Sequence, residues 1–246
     1  MAARDSASNS AGVKSRREDT RVLIFDADDT LWENNIYFER AFDDFVDYLD
    51  HSRLTPEQVR DVLNEIEIVN YKAHGYGSLS FGRNLQQAYQ HLAEDHISPD
   101  DLNKVMAFAE RILEQPIEML EGVEETIAEL SGRYELAIFT KGHPDEQQMK
   151  VDRSGLRDYF RHTVVAREKD VPAYSRLIVD KGFPKHEAWM IGNSPKSDIN
   201  PAMAAGLGAV FVPHVRTWEL ERQEIRRPSG ARFLMISTIR DLTEHF

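Results

Sequence analysis

Six short, continuously apolar runs punctuate the chain. They are Val22-Leu23-Ile24-Phe25, Leu136-Ala137-Ile138-Phe139, Thr163-Val164-Val165, Ala188-Trp189-Met190-Ile191, Ala209-Val210-Phe211-Val212 and Phe233-Leu234-Met235-Ile236. Runs without polar alternation read as strands buried on both faces. Most are separated by helix-like segments such as Val123 to Leu130 and Ala173 to Lys181. Strand–helix alternation predicts an α/β protein with a doubly wound parallel sheet. A different pattern fills residues 33–118. Phe38, Ala41, Phe42, Phe45, Val46 and Leu49 recur at helical spacing. Thr55-Pro56-Glu57-Gln58 is a helix start, with Thr55 as cap and Pro56 in the first position, and Ser98-Pro99-Asp100-Asp101 repeats the device. His74-Gly75-Tyr76-Gly77-Ser78 is a turn cluster between them. These signals predict four helices in a compact all-α bundle inserted after the first strand. The expected division is a disordered tail over 1–20, a core made of 21–32 and 119–246, and a helical insertion over 33–118.

Composition narrows the function classes. The chain has 246 residues, a size that suits one α/β domain with a sizeable insertion or two small domains. The tail is rich in Ser, Ala, Asn and charge and has no apolar run to serve as a secretory segment. Its arginines and serines loosely resemble a transit peptide, but Asp5, Glu18 and Asp19 weigh against that. There is no cysteine, which excludes disulfides, thiolate chemistry and Cys-ligated metal, and is compatible with a cytoplasmic location. No stretch approaches the roughly 18 apolar residues of a membrane span. The net charge of −12 argues against a nucleic-acid partner. It also repels anionic substrates at long range, an effect that a bound divalent cation would offset locally.

Candidate chemistry collects at the ends of the apolar runs. Asp26-Ala27-Asp28-Asp29-Thr30 directly follows the first run. Residues i and i+2 of an extended segment point the same way, so Asp26 and Asp28 project together beyond the strand's carboxyl end, the edge where open α/β sheets bind ligands. Two carboxylates that close call for a cation or a shared proton. The second run ends in Thr140-Lys141-Gly142, whose hydroxyl and backbone N–H groups suit phosphate oxygens. Lys169 follows the third run, and Gly192-Asn193-Ser194-Pro195-Lys196-Ser197-Asp198 follows the fourth. Asn193 and Asp198 offer the hard oxygens that Mg²⁺ prefers. Each signal alone also fits an ordinary strand-end turn; their succession at four core strands does not.

The ordered set Asp-x-Asp-x-Thr-Leu, strand-end Thr, Lys and Gly-x-Ser-x-x-x-Asp resembles the haloacid dehalogenase superfamily over roughly residues 20–213. The resemblance implies a Rossmann-like core with a mobile helical cap between the first and second motifs. It implies that Asp26 is a nucleophile forming an aspartyl-phosphate and that Asp28 is the general acid and base. Thr140, Lys141 and Lys169 would hold the phosphoryl group, with Lys169 keeping Asp26 ionised. Mg²⁺ would sit among the Asp26 carboxylate, the Asp28 carbonyl, Asn193 and Asp198. The cap would set substrate choice. Trp32, Glu33, Asn34 and Tyr37 are placed to flank the site. Tyr71, His74, Tyr76 and Arg83 surround a Gly-rich turn expected over it, with His74 or Arg83 meeting a polar substrate group. His214 and Trp218, after the fifth strand, border the pocket or pack on the core.

The expected activity is Mg²⁺-dependent hydrolysis of a small phosphate monoester. Dehalogenation is a rival, but that branch lacks the second acid, because a halide leaving group needs no proton; Asp28 favours a phosphate ester. A phosphomutase would use the same residues, phosphonate cleavage would need a special cap lysine, and a non-catalytic phosphate-binding protein is the remaining alternative. Where the family often has Asp, this chain has Asn193. An amide oxygen can ligate Mg²⁺ but brings no charge. An Asn193→Asp variant is therefore expected to bind Mg²⁺ more tightly in a calorimetric titration; unchanged or weaker affinity removes Asn193 from the ligand set.

Overall fold

In the computed structural model, residues 21–246 are described; the tail expected over 1–20 lies outside them. Six strands, β1 (Val22–Phe25), β2 (Glu135–Lys141), β3 (His162–Ala166), β4 (Ala188–Gly192), β5 (Gly208–Phe211) and β6 (Phe233–Met235), form one sheet. Every pairing is parallel, and the order is β3-β2-β1-β4-β5-β6. The chain leaves β1 toward β2 on one side and later crosses to β4 on the other. The carboxyl end of β1 is therefore the topological switch point, where the loops diverge and leave a crevice.

Alternate residues of the apolar runs serve opposite faces. Leu23 and Phe25 join Leu136, Ile138, Ile191 and Val210 in a core covered by α5 (Val123–Ser131), α6 (Pro144–Arg153) and the C-terminal segment. Val22 and Ile24 join Ala137, Phe139, Ala188 and Met190 in a second core under α7 (Val171–Lys181) and α8 (Asn200–Ala205). Both faces are therefore dry for the central strands. At the edges they are not: β3 is half-exposed along its length and Met235 of β6 is 62% exposed. The run at Thr163–Val165 was expected to be buried on both faces. An edge strand has one neighbour and incomplete cover, and its apolar sequence alone does not reveal that position.

Between β1 and β2 lie α1 (Asn35–Leu49), α2 (Pro56–His74), α3 (Ser78–Leu92) and α4 (Pro99–Glu110). Thr55 and Ser98 close capping boxes with Gln58 and Asp101 at the starts of α2 and α4. The four helices bury a core of their own, including Phe42, Phe45, Leu63, Phe81, Leu85 and Val105. None of the helices formed by described residues is long and apolar enough to cross a membrane.

One buried position in this bundle breaks the apolar pattern. Val59, Leu63 and Glu67 lie on one stripe of α2, and Glu67 is 6% exposed. Burial pushes its carboxyl up from the ordinary 4.5 to about 7, and Arg60 only partly offsets this. The folded protein thus holds a proton on Glu67 that the unfolded chain has already released between these pH values, so stability falls as pH rises from about 4.5 to 7. Glu67→Gln removes that titration. Its stability relative to the parent is expected to grow by about 2 kcal/mol between pH 5 and pH 8 in urea unfolding; a pH-independent difference would contradict this account.

Candidate functional site

Asp26 follows β1 directly, and its N–H donates to the Ile191 carbonyl (2.9 Å), which locks the turn to β4. The chain then reverses tightly. Asp29 takes a left-handed φ of 58°, a conformation Asp tolerates better than most residues. Its Oδ1 accepts the N–H groups of Asn34 (2.8 Å) and Asn35 (3.0 Å), which tethers the start of α1 to the turn after β1. Asp29 is buried, and burial pushes its carboxyl up to about 7 against those two bonds. The third acid of the motif thus has a structural partner set, distinct from its two neighbours.

The reversal folds Trp32 back under the site. It is wholly buried, and its indole N–H donates to Asp28 Oδ1 (2.9 Å). This corrects the expectation that Trp32 meets substrate: it acts on the site by orienting Asp28. Two residues of α6 complete the hold. Gln147 Nε2 donates to Asp28 Oδ2 (2.9 Å), and Lys150 Nζ lies 2.7 Å from both carboxylate oxygens and 3.0 Å from Asn34 Oδ1. Gln147 also accepts the Thr140 hydroxyl (3.2 Å), so one side chain links the ends of β1 and β2. The sequence reading missed Gln147 and Lys150. Their signal was the i, i+3 spacing on the helix that follows β2.

Asp26, Lys169 and Asp198 form a buried group. Lys169 Nζ donates to Asp26 Oδ1 (2.5 Å) and to the Phe139 carbonyl (3.2 Å), and its ammonium also contacts Asp198 Oδ1. Burial would push Lys169 down, but Asp198 and Asp26 outweigh it and hold the ammonium charged. One cation then serves two carboxylates. Burial raises both acids, Asp198 to about 7, with Lys169 opposing. Asp198 Oδ2 is fixed by the Ser194 N–H (2.9 Å), while Oδ1 touches Lys169 but has no aligned hydrogen bond. Gly192 permits this packing, because a Cβ there would lie 2.3 Å from Asp198 Oδ2.

Thr30 and Asn193 close the other side of Asp26. The Thr30 hydroxyl lies 3.1 Å from Asp26 Oδ2 and 3.3 Å from Asn193 Oδ1, and it accepts the Asn193 N–H at 3.2 Å. Asn193 Nδ2 donates to Thr217 Oγ1 (3.1 Å), which turns its carbonyl oxygen toward Asp26. The Asp28 carbonyl accepts no hydrogen bond from described residues. The oxygens of Asp26, Asp28, Asn193 and Asp198 are hard donors around an uncompensated buried negative charge, a set that fits a magnesium ion. A separate group, Asp29, Glu33 and His214, also brings ligand atoms together, with His214 Nε2 3.5 Å from Glu33 Oε2.

These residues open onto a cleft of about 1100 Å³, including space open to solvent. Asp26, Asp28, Thr140, Lys141, Lys169, Asn193 and Asp198 all line it. Lys141 is already paired with Glu221 (2.5 Å) and sits 4.2 Å from the Tyr76 ring centre, so a phosphate must compete for it. The turn at Gly75–Gly77 does border the cleft, with Tyr76 and Trp218 edge to face at 6.0 Å. His74 and Arg83 do not: both are exposed and outside the lining. Their helix phase turns them to solvent, and Arg60, Glu67, Tyr71 and Asn84 occupy the wall instead.

The profile of the haloacid dehalogenase-like hydrolases matches residues 20–206. A pyrimidine 5'-nucleotidase of Escherichia coli (strain K12) is 27% identical over 203 residues, spanning 77% of this chain and 84% of the relative. Among solved structures, a haloacid dehalogenase-like family hydrolase of Xanthomonas campestris is 26% identical with a TM-score of 0.78, covering 92% of this chain and 94% of its own. A magnesium-bound HAD-hydrolase of Bacillus subtilis, 17% identical, shares the fold with a TM-score of 0.67 over 92% of this chain and 98% of its own.

Proposed function

The chain belongs to the haloacid dehalogenase-like hydrolases, and within that family we propose that it hydrolyses a small phosphate monoester through a phosphoryl group carried on Asp26. The observation that carries this reading is the division of labour between its two acids. Asp26 is enclosed beside an ammonium, whereas Asp28 is half-buried on the cleft wall and held by three donors from two elements. The first environment suits a nucleophile and the second a proton carrier.

Asp26 attacks phosphorus, and the bond to the leaving oxygen breaks as Asp28 delivers a proton to that oxygen. Asp28 then takes a proton from the water that attacks the aspartyl-phosphate and regenerates the carboxylate of Asp26. Lys169 and Thr140 stabilise charge on the equatorial phosphoryl oxygens. Magnesium, held by Asp26, the Asp28 carbonyl, Asn193 and Asp198, would supply charge neutralisation between carboxylate and phosphoryl group. The helical insertion, packed on its own core, serves as the cap that covers the substrate. A halide leaving group needs no proton, so dehalogenation leaves the Lys150–Asp28–Gln147 arrangement without a task.

A panel of phosphate monoesters assayed with and without Mg²⁺ is expected to show Mg²⁺-dependent phosphate release. Asp26→Asn is expected to abolish it, and Asp28→Asn to lower kcat by about 10²- to 10⁴-fold. Turnover that survives Asp26→Asn or complete chelation would sink the mechanism. Halide release from a 2-haloacid without phosphatase activity would move the chain to the dehalogenases.

A further inference from the structure

The wall of the cleft formed by the helical insertion holds a carboxyl group with nothing to bind. Glu67 makes no hydrogen bond or ion pair with any described residue, and its Oε2 is enclosed without a partner. Arg60, about two turns earlier on α2, is the obvious candidate. Instead it pairs with the half-exposed Glu39 (2.7 Å), also on the cleft lining, and lies 3.4 Å from the centre of the Phe42 ring. Leaving an acid so enclosed and unpaired costs stability, and that cost is reasonable only if a ligand recovers it. Burial raises this carboxyl to about 7, and the charge of Arg60 only partly offsets it.

Its neighbour on α3 has the opposite hydrogen-bond sense. Asn70 Nδ2 donates to Asn84 Oδ1 (3.0 Å) and to Gln87 Oε1 (2.8 Å). This network spends the Asn84 carbonyl and leaves its Nδ2, without a partner among the described residues, on the cleft wall. The remaining wall here is aromatic: Phe38 and Phe81 meet edge to face at 5.2 Å, and Tyr71 lies nearby on the lining. An acceptor and a donor on one cleft wall, set among aromatic faces, are complementary to a flat ring that carries an N–H next to a C=O. A compact ammonium-bearing group would satisfy Glu67 but would leave the Asn84 donor and the aromatic faces unused.

Resting on the phosphatase reading, we propose that Glu67 and Asn84 are specificity-determining residues that read a cyclic amide edge on the leaving group, so that the substrate class is nucleoside monophosphates whose base presents N–H beside C=O. Glu67 accepts the ring N–H, Asn84 Nδ2 donates to the carbonyl, and the ring packs against Phe38, Tyr71 and Phe81.

The test compares each substrate with its N-methylated analogue: uridine 5'-monophosphate against its N3-methyl form, and inosine 5'-monophosphate against its N1-methyl form. In the wild-type protein, methylation is expected to lower kcat/KM by about 10- to 100-fold in at least one pair, because the analogue leaves Glu67 unpaired. In Glu67→Leu, which has no acceptor, that ratio should collapse to within about threefold, whereas loss of a purely structural contact would lower both members of a pair together. Discrimination below about twofold in both wild-type pairs, or a ratio unchanged by Glu67→Leu, overturns the proposal; so does preference for O-phosphoserine over both nucleotides. The wild-type pairs decide the matter even if the variant fails to fold. Hydrolysis of p-nitrophenyl phosphate, abolished by Asp26→Asn, separates the two readings: with it intact, a failed discrimination rejects the edge reading alone, and without it the phosphatase reading falls and takes this one with it.

Discussion

A single buried ammonium shared by two carboxylates sets the terms for the rest of the site. Lys169 arrives from the turn before α7, Asp26 from the end of β1 and Asp198 from the turn before α8. Three elements separated by up to 172 positions in sequence must therefore be in register before the group can form. The parallel pairing of β1 with β4, Phe25 opposite Ile191, provides that register. Burial pushes both acids up, the Asp26 charge adds to the shift at Asp198, and the single Lys169 ammonium opposes the shift at each. A divalent cation held there would offset the same imbalance, which is the setting the proposed phosphoryl transfer requires. The chain's overall negative charge makes this local arrangement more important, since nothing at long range draws an anion toward it.

Around this group, two separately packed cores meet across the cleft. The sheet anchors the chemistry rigidly, while the four-helix insertion is tethered at the catalytic turn by Asp29 and by contacts such as Tyr76 to Glu168 (2.6 Å) and Ser78 to Glu146 (2.8 Å). These contacts are polar and partly buried. Glu67 marks a cost in the insertion: its helices keep an acid in the cleft wall that a purely structural bundle would replace.

Much of this arrangement was legible in the sequence because strand ends are local signals. Apolar runs of four residues located β1, β2 and β4, and the polar residues just beyond them became Asp26, Thr140, Asn193 and Asp198 in one cleft. The capping residues Thr55 and Ser98 marked helix starts for the same reason. What depended on chain reversal or helix phase was not legible. Trp32 was expected at the substrate, but the left-handed Asp29 turns the chain and buries the indole under Asp28. Lys150 and Gln147 reach Asp28 only because α6 packs beside β1, a tertiary fact. His74 and Arg83 lay near the right turn but on the wrong side of their helices, while Glu67 lay on the cleft side of α2 and Tyr76 in the turn itself. Glu67 carried a readable signal, an acid on the Val59–Leu63 stripe.

The central claim is a covalent one: Asp26 carries the phosphoryl group during turnover. The most direct measurement is mass spectrometry of the protein quenched in acid during steady-state hydrolysis and digested under conditions that preserve acyl phosphates. The account predicts a peptide spanning Val22 to Thr30 heavier by one phosphoryl group, with borohydride reduction converting Asp26, and not Asp28, to homoserine. A phosphoryl group on any other residue, or rapid turnover with no labelled peptide after reductive trapping, would contradict it.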